Sequence, residues 1–158
     1  MNIWNFIRIL PNASAIIKGS TMYSRINGEA RFYDVKDGVI TVVALTGLPR
    51  ANGRCLEPIF GFHIHGGASC TGNESNPFAD TLTHYNPYDC PHPYHAGDMP
   101  PLFGANGQAF SAFLSSRITI NEIIGKTVVV HSSPDDFTSQ PAGNSGTKIA
   151  CGVIRAHR

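Results

Sequence analysis

The segment PHPYHAGDMPPL (residues 91–102) sets His92, His95 and Asp98 at successive three-residue intervals. A helix would stack them on one face, but Pro91, Pro93, Pro100, Pro101 and Gly97 argue against a helix there. More imidazoles stand nearby: His63 and His65 in GFHIH, His84 in THYNP, and His131 closing VVVH. Taken singly, each has an ordinary reading as a solvated polar residue at a strand end or turn. Together they do not, because six of the seven histidines gather in or beside two loops. Imidazole and carboxylate donors without cysteine suit zinc or copper, not calcium or magnesium. Three histidines with one aspartate complete a tetrahedral zinc site, and four imidazoles suit copper in tetragonal geometry. Six histidines and one aspartate fill both sites if one imidazole serves twice. Spacing alone does not name that residue.

Strands must position these groups. His63 and His65 are two residues apart on an expected strand, hence on one face, with Phe62 and Ile64 turned to the core. ASAIIKGS and GEARFYDV alternate apolar with polar residues, and Asp37-Gly38 is a hairpin turn signal between two β-rich runs. GQAFSAFL, KTVVVH and KIACGVIR are likewise short and bounded by turn residues. RITINEII is the one helical candidate, and its β-branched residues weaken it. The expectation is an all-β antiparallel sandwich or barrel. A long segment between Gly66 and Gly107 is dense in Gly, Pro, Asn, Asp and Ser, and a shorter loop runs from Ser132 to Thr147. A loop of the first length needs something to pin it.

Residues 1–158 read as one domain with a substantial core, with no internal repeat. Charged residues are only 15% and the net charge is +1, so no global field recruits nucleic acid or a membrane surface. No apolar run approaches the ~20 residues of a membrane span. The start, MNIWNFIRIL, lacks a cationic region and is broken by Asn5 and Arg8, so it makes a poor secretory signal and the expected location is cytoplasmic. None of the four cysteines forms a CxxC pair. Two separated disulfides or four thiols both fit, and the missing signal favours thiols.

The words GFHIH, HYNP, HAGDMP, VVVHSSPDD and AGNSGTKIACGVI occur in an order that resembles the copper–zinc superoxide dismutases, in a bacterial-type variant. The resemblance spans residues 61 to 154 and implies a Greek-key β-sandwich or barrel with two functional loops. It assigns copper to His63, His65, His84 and His131, and zinc to His84, His92, His95 and Asp98, with His84 as the bridge. Zinc would then pin the long loop. Asp135 matches an aspartate that orients one ligand of each metal, here His63 and His92. Cys70 and Cys151 match the family's internal disulfide. Cys55 and Cys90 are either a second bridge or two free thiols.

The activity implied is dismutation of superoxide anion to oxygen and hydrogen peroxide, copper alternating in valence while His84 lets go, takes a proton and later gives it up. Turnover in such enzymes approaches the diffusional ceiling, where guidance of the anion matters. The family places an arginine in the word before the last cysteine, and Lys148 stands here. Lysine keeps the charge but loses the planar fork. The second loop has no lysine, arginine or glutamate, so guidance is thin. His157, in the terminal RAHR, reads as a solvated tail, awkward in the apolar C-terminal dimer contact of animal members, and the sequence leaves monomer and homodimer open. The competing reading is a protein that stores copper and zinc without turnover. The complete ligand set favours the enzyme.

Overall fold

The computed structural model describes residues 9–51, 53 and 58–157. The period-two runs form β1 (Ala13–Gly19), β2 (Asn27–Val35) and β3 (Gly38–Thr46), followed by β4 (Ile59–Phe60) and β5 (Phe62–His65). After the long loop come β6 (Leu102–Phe103), β7 (Gln108–Ser115), β8 (Thr127–His131), β9 (Lys148–Val153) and β10 (Arg155–Ala156). All neighbours are antiparallel, in the order β5-β8-β9-β1-β2-β3-β7, with β10 beside β1 and β4 paired to β6. The crossovers that put β9 against β1 and β7 against β3 give the Greek-key barrel expected. One core cluster joins its two halves: Ile17, Phe32, Val43 and Leu45 pack with Phe62, Ile64, Val128 and Ile149.

Two local details differ from the sequence reading. The β2–β3 loop is Lys36-Asp37, because Val35 pairs with Gly38, so Gly38 opens the strand instead of closing the turn. The helical candidate yields a single turn, α1 (Ile120–Ile123). A capping box starts it, with the Thr119 N–H donating to Glu122 Oε2 at 3.0 Å, and the β-branched residues around it favour extended backbone. Among the described residues no helix is long and apolar enough to cross a membrane.

The long loop is fastened at its start by the Cys70–Cys151 disulfide, which ties it to β9 across 81 residues of sequence. Cys151 packs there with Phe78 and Val129. Farther along, the same loop returns to the open edge of β5, and that return builds the site.

Candidate metal centre

The edge of β5 is closed by loop backbone. The Ile64 N–H donates to the Gly97 carbonyl at 2.9 Å, and the Tyr85 N–H donates to the Ile64 carbonyl at 2.8 Å. These bonds set His65 opposite His84 and His63 opposite Asp98. Gly97 is required here, since a Cβ on it would lie 2.2 Å from the Ile64 oxygen. The covering loop also corrects the view of β5 as a strand with one inward face. His63 is 0% and His65 2% exposed, as buried as Phe62 and Ile64.

Two groups of candidate ligands result. His63, His65, His84 and His131 form one, and His84, His92, His95 and Asp98 form the other, with the ligand atoms of each within 4.8 Å of one another. Every residue expected to hold a metal falls into its expected group. His84 belongs to both. Its Nδ1 lies 2.8 Å from Asp98 Oδ1, while its Nε2 is buried without a partner.

Asp135 decides which nitrogens are free. Its Oδ2 lies 2.7 Å from His63 Nε2 and its Oδ1 2.9 Å from His92 Nε2. An ionised carboxylate only accepts, so both Nε2 atoms donate and both Nδ1 atoms keep their lone pairs. Those two Nδ1 atoms, with His84 Nε2 and His95 Nδ1, are four of the six buried side-chain polar atoms without hydrogen-bond partners among the described residues. A buried polar atom left unpaired costs about 1–3 kcal/mol. Four imidazole nitrogens so placed, converging in two groups, fit cations that bind nitrogen and carboxylate oxygen.

The electrostatics suit the same occupants. Burial pushes His65 well below its ordinary range, helped by the neighbouring His131 and His84. Burial and the charge of His63 carry His131 down to about 3. For His63, burial outweighs the opposing pull of Asp135, and burial also lowers His95. These rings are therefore neutral at neutral pH, with lone pairs ready for a metal. Burial alone would raise Asp135, but bonds from His63, the Phe137 N–H and His92 hold it below the usual carboxylate range. Asp98 is lowered in the same way, chiefly by His84 against the opposing effect of burial.

Beside the first group opens a cavity of about 410 Å³, lined by His65, His84, His131, Leu82, Pro141 and Lys148 among others. Lys148 is the one lysine or arginine among its described lining residues. Its Nζ donates to Thr81 Oγ1 at 2.8 Å, the Leu82 carbonyl at 2.9 Å and the Phe78 carbonyl at 3.2 Å. Thr81, Leu82 and Gln140 escaped the sequence reading. Gln140 joins the two loops through its amide, and no spacing or motif marks it.

Cys90 carries a free thiol, and Cys55 lies outside the described residues, as does most of MNIWNFIRIL. His157 belongs to neither ligand group. It is exposed, as expected, but anchored: its Nε2 lies 2.8 Å from Ser14 Oγ and its N–H donates to the Asn12 carbonyl.

Residues 26–154 match the family model of copper/zinc superoxide dismutase (SODC). The chain is 34% identical to the copper–zinc superoxide dismutase 2 of Aquifex aeolicus over 143 residues, covering 81% of this chain and 78% of that protein. It is 32% identical to the copper–zinc superoxide dismutase of Onchocerca volvulus over 163 aligned positions, covering 90% of this chain and 94% of that protein. The similarly named protein of Legionella pneumophila is 32% identical over 135 residues, with 81% and 77% covered.

Proposed function

The chain belongs to the copper/zinc superoxide dismutase family, and from that premise we propose how its residues divide the work. It is a superoxide dismutase that uses copper and zinc: two superoxide anions and two protons give oxygen and hydrogen peroxide. We assign copper to His63, His65, His84 and His131, and zinc to His84, His92, His95 and Asp98. Bound there, copper would supply the redox couple that dismutation needs, whereas zinc has no redox chemistry and would organise the loop.

One observation carries this reading. His84 is the one residue common to both ligand groups, with Nδ1 beside Asp98 and Nε2 buried without a hydrogen-bond partner. With Nδ1 engaged on the zinc side, Nε2 is the atom at which this ring gains or loses a proton, and the ring itself lines the cavity. Peroxide formation needs a proton donor there. Asp135 fixes the ring angles of His63 and His92 at once, so both groups share one support. The charge of Lys148 draws the anion into the cavity, whose rim at Leu82, Pro141 and Ala142 is apolar.

The test is direct: load the protein with copper and zinc and follow superoxide decay by a fast method. Decay far above that of an equal concentration of metal-stripped protein is expected. Decay no faster than that control, with both metals bound, would make the chain a metal store.

A further inference from the structure

Lys148 opens β9 and reaches across to the turn at residues 78–82. An ammonium has three donors, and here three acceptors meet them: Thr81 Oγ1 at 2.8 Å, the Leu82 carbonyl at 2.9 Å and the Phe78 carbonyl at 3.2 Å. The Thr81 hydroxyl, in turn, donates to the Phe78 carbonyl at 2.8 Å, so its lone pairs face the lysine. No N–H of Lys148 is left over for an anion in the cavity.

The middle of this arrangement is Leu82. Its backbone sits at φ 61° and ψ −143°, a region that a residue with a Cβ rarely adopts. Such a conformation persists only where surrounding contacts hold it. Two contacts hold its carbonyl, Lys148 Nζ at 2.9 Å and His65 Nδ1 at 3.0 Å, while its N–H donates to the Ala79 carbonyl at 3.1 Å. A carbonyl only accepts, so His65 carries its proton on Nδ1 and keeps its lone pair on Nε2. That Nε2 lies 3.1 Å from His131 Nε2, inside the first ligand group.

We propose that Lys148 is a positioning residue for His65: by holding the Leu82 carbonyl in its strained orientation it fixes the tautomer and ring angle of a copper ligand. Its charge still contributes to the field in the cavity, but its hydrogen bonds serve the site's geometry and not the capture of superoxide. Removing the ammonium lets Leu82 relax, and the acceptor of His65 Nδ1 turns away. Thr81 and Phe78 are the fixed points against which the lysine is braced. The proposal rests on the assignment of His65 to copper.

The test compares native protein with Lys148→Met, which keeps an unbranched stem and removes the donors, and with Thr81→Val, which leaves the charge and removes one brace together with the 3.5 Å contact of Thr81 Oγ1 with His65 Nδ1. Three readouts are taken: copper lost to a chelator, the cupric electron paramagnetic resonance spectrum, and imidazole nitrogen signals of the metal-free protein. Lys148→Met is expected to give up copper about 10–100-fold more readily, as loss of a ligand's supporting partner does, with a changed cupric spectrum and unchanged zinc retention. The metal-free protein should lose the Nδ1–H signature of His65, and Thr81→Val should shift the same readouts less. An unaltered spectrum, copper retention and His65 signal in Lys148→Met, with only the rate and its salt dependence reduced, would overturn the proposal and leave Lys148 a guide by charge. A native cupric spectrum without nitrogen coupling would instead overturn the copper assignment. The metal-free signals still report the Lys148–Leu82–His65 link, so the two failures are distinct.

Discussion

Gln140 grips His92 from both sides of its backbone: Nε2 donates to the His92 carbonyl at 2.7 Å, and Oε1 accepts from the His92 N–H at 2.9 Å. One side chain on the second loop thus replaces the backbone pairing that a strand would have given the zinc loop. Gly143 completes the approach, since a Cβ on it would stand 2.1 Å from Asp135 Oδ1 and 2.6 Å from His92 Nε2.

Gln140→Ala should therefore loosen both loops together. Two hydrogen bonds to a part-buried segment are lost, at about 0.5–1.5 kcal/mol each. The expected result is a stability lower by about 1–3 kcal/mol in chemical denaturation and weaker retention of zinc, with copper less affected. Equal stability and equal zinc retention would mean that the Gln140 contact supports nothing.

How much of this was legible in the sequence differs by residue. The ligands were, because few side-chain types bind transition metals and the words carrying them keep their order. The strands followed from period two. The pairing of Asp135 with His63 and His92 came from family resemblance, for nothing in a Pro-Asp-Asp turn announces two imidazoles from distant segments. Leu82 and Gln140 were invisible, because they act through a backbone carbonyl or on backbone groups, which any residue type supplies, and Thr81 because no spacing ties its hydroxyl to a lysine 67 residues away. The full burial of His63 and His65 was hidden for a related reason: the loop that covers them does so by main-chain pairing that no residue pattern encodes.

Removal of single ligands should separate the two groups. His131 belongs to the first ligand group alone, the one proposed for copper, and its Nδ1 lies 3.4 Å from the Gly146 carbonyl. His131→Ala should cut superoxide turnover about 10²-fold or more while zinc stays bound, since the donor it removes is not a member of the second ligand group. Metal analysis after dialysis decides the matter. Simultaneous loss of zinc would show that the groups are not divided as assigned.

The Cys70–Cys151 bond should matter more to the copper side than to the zinc side. It closes 81 residues and packs with Phe78, whose carbonyl braces Lys148. A Cys70→Ser, Cys151→Ser double variant should lose about 2–4 kcal/mol of stability, mainly through the freer unfolded chain. Copper retention should fall with it, while His92, His95 and Asp98, held by the second loop and β5, keep zinc. A double variant as stable as native protein, measured by denaturant unfolding, would argue against this account.

The last prediction concerns alkaline pH. Burial lowers Lys148 from the ordinary lysine value of 10.5 because the charged form loses solvation. Below its folded value the side chain is charged in both folded and unfolded chains. Between that value and 10.5 the unfolded chain holds a proton that the folded chain has released, so this group's contribution to stability rises with pH across the window. Activity should move the other way. As the proton leaves, the cation that draws superoxide into the cavity is gone, and the rate should fall, by up to about tenfold, at a pH below 10.5 while the fold stays intact. Lys148→Arg keeps its charge and should carry the decline to higher pH, whatever its rate at neutrality. Rates measured from neutral to strongly alkaline pH on both proteins, with circular dichroism alongside, test this. Superimposable declines would show that the lysine's charge is not what the alkaline limb reports.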